Sequence, residues 1–141
     1  MTNVKRAGLL LYKIAPESGD LYFRCMIPSD AKYGGLSPQI PKGRIEEGYN
    51  KRETAIKETQ EEAGLYIHNL EWIKHFKDYT DMKLSIFYGT VTDPTDFGEW
   101  DYETYWSGWM NYNKQWNKLR DTQRHIFDDV YEHIINTKNE H

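Results

Sequence analysis

The sequence has one cysteine in 141 residues. An internal disulfide is thereby excluded, and Cys25 sits in the apolar run from Leu21 to Ile27, the setting of a buried, inert thiol in a reducing compartment. No apolar run approaches the ~18 residues that a membrane-crossing helix needs, and the opening Met1-Thr-Asn-Val-Lys-Arg6 lacks the apolar core of a secretion signal. A cytoplasmic protein with no membrane partner is expected. Positive charge is not in surplus either: 18 Lys and Arg stand against 22 Asp and Glu, a formal net charge of -4, which argues against duplex DNA as a partner. What is plentiful is aromatic residues at 15%, within a hydrophobic fraction of 38%, too much for a disordered chain. One domain over residues 1–141 is expected, burying roughly two thirds of the unfolded chain's surface. Oligomeric state has no signal in the sequence.

Ala7 to Ile14 and Leu21 to Ile27 are apolar segments separated by Pro16-Glu-Ser-Gly-Asp20, and read as two strands joined by a turn. Residues 28 to 49 hold Pro28, Pro38 and Pro41 together with Gly34, Gly35, Gly43 and Gly48, and read as loop with at most a short strand. The pattern then turns helical over Lys51 to Ala63, with Asn50 as cap, Glu53 completing a capping box and Gly64 as the stop. Tyr66 to Phe76 and Lys83 to Val91 are rich in β-branched and aromatic residues and read as a long antiparallel pair, divided by the polar Asp78-Tyr-Thr-Asp81. A strand or turn is expected around Trp106 to Trp109. Ile126, Val130, His133 and Ile134 recur at helical spacing and predict a terminal amphipathic helix. The fold class is α/β in its mixed, α+β form.

Chemistry concentrates on the first helix. Glu58, Glu61 and Glu62 stand at i, i+3 and i+4, so their carboxylates share one face. Ile56, Thr59 and Ala63 lie on another face, free to pack on a sheet. Like charges so placed repel by a few tenths of a kcal/mol per pair, a penalty that a bound cation reverses. Pro41-Lys42-Gly43 offers a tight turn, a cation and a carbonyl ahead of them. Hard oxygen donors of this kind suit Mg²⁺ or Mn²⁺, with a free carboxylate left to take a proton from water. An isolated Glu-x-x-Glu-Glu is ordinarily only a solvated surface.

The spacing changes that reading. Gly43 to Leu65 resembles the 23-residue signature of the Nudix hydrolases: Gly, five residues, Glu, seven residues, Arg-Glu, an apolar residue, any residue, Glu-Glu, any residue, Gly and an apolar residue. Gly43, Glu58, Glu61, Glu62, Gly64 and Leu65 match in register. Tyr49, Lys57 and Thr59 depart, standing where the pattern has Glu, Arg and an apolar residue. The resemblance implies a mixed β-sheet packed between the central helix and C-terminal helices. It also implies Mg²⁺ or Mn²⁺ held by Gly43, Glu58, Glu61 and Glu62, with hydrolysis of a phosphoanhydride bond.

Pro41-Lys42-Gly43 and Thr54 to Gly64 are similar to the branch that hydrolyses dinucleoside tetraphosphates, Ap4A giving ATP and AMP. On that likeness Lys42, Lys77, Lys83 and Tyr88 would bind substrate, and Glu103, six residues before Trp109, would be a further ligand or base, with Glu99 in reserve. The RNA 5′ end is the alternative partner within the same chemistry, and a nucleotide-binding module with weakened catalysis, suggested by Tyr49 and Lys57, is the alternative outside it. Trp100, Trp106, Trp109 and Trp116 read as packing beneath the terminal helices.

Overall fold

The structure, a computed structural model, describes residues 4–66, 72–91 and 97–139. Six strands form one mixed sheet: β1 (Arg6–Ile14), β2 (Leu21–Pro28), β3 (Lys42–Arg44), β4 (Lys74–Tyr79), β5 (Leu84–Thr90) and β6 (Thr104–Asn111). Helices α1 (Lys51–Ala63), α2 (Tyr112–Gln115) and α3 (Arg124–Asn139) complete the fold. The strand order is β4-β5-β1-β2-β6, with β3 paired to β1. Among the described residues only the central β1–β5 pair is parallel, from Arg6 opposite Leu84 to Tyr12 opposite Thr90.

Alternation along the strands divides the core in two. On one face Leu10, Leu21, Phe23, Ile86 and Met110 meet Ile126, Phe127, Val130 and Ile134 of α3. On the other, Ala7, Leu9, Leu11 and Phe87 meet Ala55 and Ile56 of α1. The arrangement is the predicted mixed sheet between a central helix and a C-terminal one.

β1 changes partner along its length. Its C-terminal half pairs with β2, Tyr12 opposite Phe23, while its N-terminal half pairs with β3, Arg6 opposite Arg44 and Gly8 opposite Lys42. The segment 39–44 fills the resulting split, bridging Met26 of β2 through the main chain of Gln39 and β1 through Pro41 to Arg44.

Helix α1 has the predicted bounds. Asn50 accepts the Glu53 N–H at 2.8 Å, Glu53 accepts the Asn50 N–H at 3.1 Å, and Gly64 ends the helix at φ 71, a left-handed conformation suited to glycine. Thr59, at a normally apolar motif position, is fully buried because its hydroxyl donates to the Ala55 carbonyl at 2.8 Å. At the C-terminal end of α1 the buried Arg24 donates to the Ala63 carbonyl at 3.4 Å and to Ser107 Oγ at 3.1 Å, with its guanidinium 4.0 Å from the centroid of Phe97. Burial lowers this guanidinium to about 10, still charged at neutral pH beside the negative end of the helix.

Three expectations are corrected. Pro41-Lys42-Gly43 is not a tight turn: Lys42–Arg44 is strand, because the split in β1 leaves ladder hydrogen bonds for it to take. The strand expected from Tyr66 begins only at Lys74 and runs through Asp78 and Tyr79, placing the turn at Thr80 to Lys83; residues 67–71 lie outside the described ones. Asp78 and Tyr79 remain in the ladder because their side chains find partners, Lys51 at 2.8 Å and Asp129 at 2.6 Å. The tryptophans do not all lie under the terminal helix. Trp106 packs on the α3 side and Trp116 donates to Asp128 of that helix, but Trp109 packs on the α1 side against Phe97, and Trp100 is partly exposed.

Candidate active site

The acidic face of α1 looks onto a cleft of about 490 Å³ at the split in the sheet, walled by Glu58 and Glu62, by Glu103, and by Lys42, Arg44 and Arg120. Gly43 lies directly behind Glu58: a Cβ added there would collide with the Glu58 carboxyl. This position therefore needs glycine for close approach, not for an unusual backbone angle. Across the same gap the Lys42 N–H donates to Glu62 Oε2 at 3.0 Å, tying β3 to the last turn of α1.

These carboxylates are under electrostatic strain. Burial, then the neighbouring Glu58 charge, pushes Glu62 up to about 8, against the opposing hydrogen bond and charge of Lys42. Glu58 is raised as well, by burial and then by Glu61, with Glu103 adding to the repulsion. Lys42 is pulled the other way: burial, then Arg6 and Arg120, lower its ammonium. Acids repelling acids thus confront cations repelling cations in one cleft.

Among the described residues no three Asp, Glu, His or Cys side chains converge as a ready metal cluster. Glu58 and Glu62 face the cleft, whereas Glu61, its side chain about 43% exposed, is engaged by Lys57 one turn earlier at 3.4 Å. The donor set nevertheless fits a hard divalent cation. All three carboxylates belong to one helix face, and the repulsion that raises Glu58 and Glu62 is what such a cation relieves.

Two of the departures, Tyr49 in the loop and Lys57 on α1, meet in space. The Lys57 ammonium lies 5.5 Å from the centroid of Tyr49, so a cation–π contact joins the two positions where the signature has Glu and Arg. The contact tethers the loop to the helix.

Of the residues expected to bind substrate, Lys42 lines the cleft; Glu103, expected as a further ligand or base, lines it too, and its reserve Glu99 does not. Lys77 is exposed, with its ammonium 5.0 Å from the ring of Tyr79, and Lys83 lines a neighbouring cavity. Tyr88 is on the α3 face, hydrogen-bonded to His133 at 2.9 Å and edge-on to Phe76, so the fold does not bring it to the acids of α1. Sequence reading missed Arg44 and Arg120. Arg44 follows the motif glycine and was open to notice. Arg120 had no local signal: Gln39, 81 positions away, accepts from its Nη1 at 2.9 Å, and Pro38 accepts from its N–H.

The NUDIX domain family model matches residues 17–132. No curated protein matches the chain in sequence. Among solved structures it is similar to the C. elegans Ap4A hydrolase binary complex, with a TM-score of 0.69 and 20% identity over 94% of this chain and 98% of that one. It is also similar to the NUDIX domain of Shewanella oneidensis NrtR complexed with ADP ribose, with a TM-score of 0.71 and 9% identity over 95% and 90%. A third is the M. smegmatis Nudix hydrolase RenU, with a TM-score of 0.66 and 14% identity over 95% and 90%. At such identities the likeness speaks for the fold, and the family match, which takes in β2, the whole of α1 and most of α3, speaks for membership. The chain belongs to the Nudix family and is a pyrophosphohydrolase.

Proposed function

We propose that the protein hydrolyses a dinucleoside polyphosphate, with Ap4A cut to ATP and AMP as the leading case. The observation that carries this reading is the opposition, within one cleft, of the α1 carboxylates to the cationic wall of Lys42, Arg44 and Arg120. Nudix hydrolases act with divalent metal ions; Mg²⁺ or Mn²⁺ here would be held by Glu58, Glu61, Glu62 and the Gly43 carbonyl, neutralising phosphate charge and acidifying a water. Lys42 and Arg120 orient the phosphate chain from the opposite wall, Arg120 being pre-positioned by Gln39. Glu58 or Glu103 receives the proton of the attacking water; both face the cleft, and Glu58 is already raised toward the range of a general base. The C. elegans neighbour is itself an Ap4A hydrolase, and Pro41-Lys42-Gly43 with Thr54 to Gly64 points to that branch.

The test is a substrate panel run with Mg²⁺ in heavy-oxygen water: Ap4A, ADP-ribose, NADH and a 5′-triphosphorylated RNA. Release of ATP and AMP from Ap4A, with kcat/KM above every other substrate, is the expected result. A higher kcat/KM on the RNA or on a two-phosphate dinucleotide overturns the choice of substrate.

A further inference from the structure

Next to the catalytic cleft is a second cavity of about 630 Å³ with a different composition. Its charged lining is Lys5, Arg6, Arg44 and Lys83, with no acidic side chain, and Ile45 and Met82 supply an apolar part. Arg6 and Arg44 also line the catalytic cleft, so the two cavities share a wall. Such a concentration of cations is unexpected in a chain of net charge -4.

Its construction works against charge repulsion. Arg6 and Arg44 are directly opposite in the antiparallel β1–β3 ladder, which puts both side chains on one face. Like charges so placed destabilise a sheet. Lys83 adds a third cation from a left-handed backbone, φ 55, the one positive φ outside glycine among the described residues. Its carbonyl accepts the N–H groups of Lys5 and Arg6 at 2.9 and 3.0 Å, which fixes the corner against β1. Among the described residues no ion pair engages any of the four cations.

We infer that this cavity is a second anion subsite, which receives the distal phosphates and adjoining nucleoside of a long polyphosphate substrate whose scissile bond lies at the α1 carboxylates. The shared wall of Arg6 and Arg44 spans the two cavities, and Ile45 and Met82 suit a ligand that is not anionic throughout. The inference deepens the substrate reading above: a two-phosphate dinucleotide reaches the cleft alone, whereas a tetraphosphate reaches both.

Inorganic tripolyphosphate, titrated calorimetrically into chelator-treated protein, tests the subsite without catalysis. The double variant Lys5→Gln, Lys83→Asn removes two cations that line only this cavity, and asparagine tolerates the left-handed backbone at 83. Arg120→Gln alters the cleft alone. Tripolyphosphate is expected to bind the unaltered protein and to bind the double variant about fivefold to tenfold more weakly, a larger loss than Arg120→Gln causes. No binding, or a loss through Arg120→Gln but not the double variant, overturns the subsite. With metal present, the double variant is expected to raise KM for Ap4A more than KM for ADP-ribose. A protein that binds tripolyphosphate as expected but does not hydrolyse Ap4A retains the subsite and loses the substrate reading. Thermal unfolding midpoints of both variants confirm that the fold is intact.

Discussion

The two faces of the sheet are covered by helices of opposite character. Helix α3 buries large side chains, Ile126, Phe127, Val130 and Ile134, each no more than 5% exposed. Helix α1 buries mostly small ones, Thr54, Ala55, Ile56, Thr59 and Ala63, and relies on its ends: a capping box at Asn50, a left-handed Gly64, and Arg24 on the Ala63 carbonyl. One helix supplies apolar area. The other gives up apolar area for close approach to β3, and so brings carboxylates into a cleft where they repel. The contrast teaches where stability and function are separately held.

The largest effect that tests this contrast is expected at Glu62. Glu62→Gln, which removes a metal-holding carboxylate, should lower kcat by about 100-fold or more, measured under saturating substrate and Mg²⁺, while leaving the unfolding midpoint of the chelated protein unchanged or raised. A large loss of stability would show that α1's acidic face is structural after all. On the other helix, Phe127→Ala should destabilise the protein by about 3–5 kcal/mol in chemical denaturation, while kcat of the folded fraction at low temperature stays near that of the unaltered protein.

A smaller effect is expected at the α1 N-terminus, where Asn50→Ala should cost about 1 kcal/mol. Because that end carries no carboxylate ligand, the loss should register in stability before it registers in kcat. The finest test is of pH. Asp78 is half-buried, which alone would raise it, but the hydrogen bonds from Lys51 and His75 outweigh burial and hold it at about 2. Its folded pKa is below its unfolded one, so its contribution is complete above about pH 4 and is lost as pH falls toward 2. Thermal melts between pH 5 and 2 should therefore fall less steeply for Asp78→Asn than for the unaltered protein, whose Lys51–Asp78 ion pair links α1 to β4.

Helix α1 was legible in the sequence to the residue, because capping, periodicity and the glycine stop are properties of a dozen consecutive positions. The carboxylates were legible for the same reason, their spacing being fixed by one helix. The rest of the cleft was not. That Lys42–Arg44 is strand depends on the split in β1, and that Arg120 joins Lys42 in the cleft depends on Gln39; neither is visible in a local window. Tyr88 shows the converse: read as a substrate contact, it is drawn to α3 by His133 and Phe76, because strand parity sets it on the opposite face from Phe87.

The division of β1 between two partners has a consequence for how such a protein can change. Residues 39–44 are joined to β1 and β2 like a tenon in a mortise, and the connections on either side, 29–38 and 45–50, lie almost wholly outside the ladder. Lengthening or replacing those connections leaves the register of every strand as it was. The fold thus sets the cations Lys42 and Arg44 on the part that must not move, and leaves the connections on either side of them free to change around it.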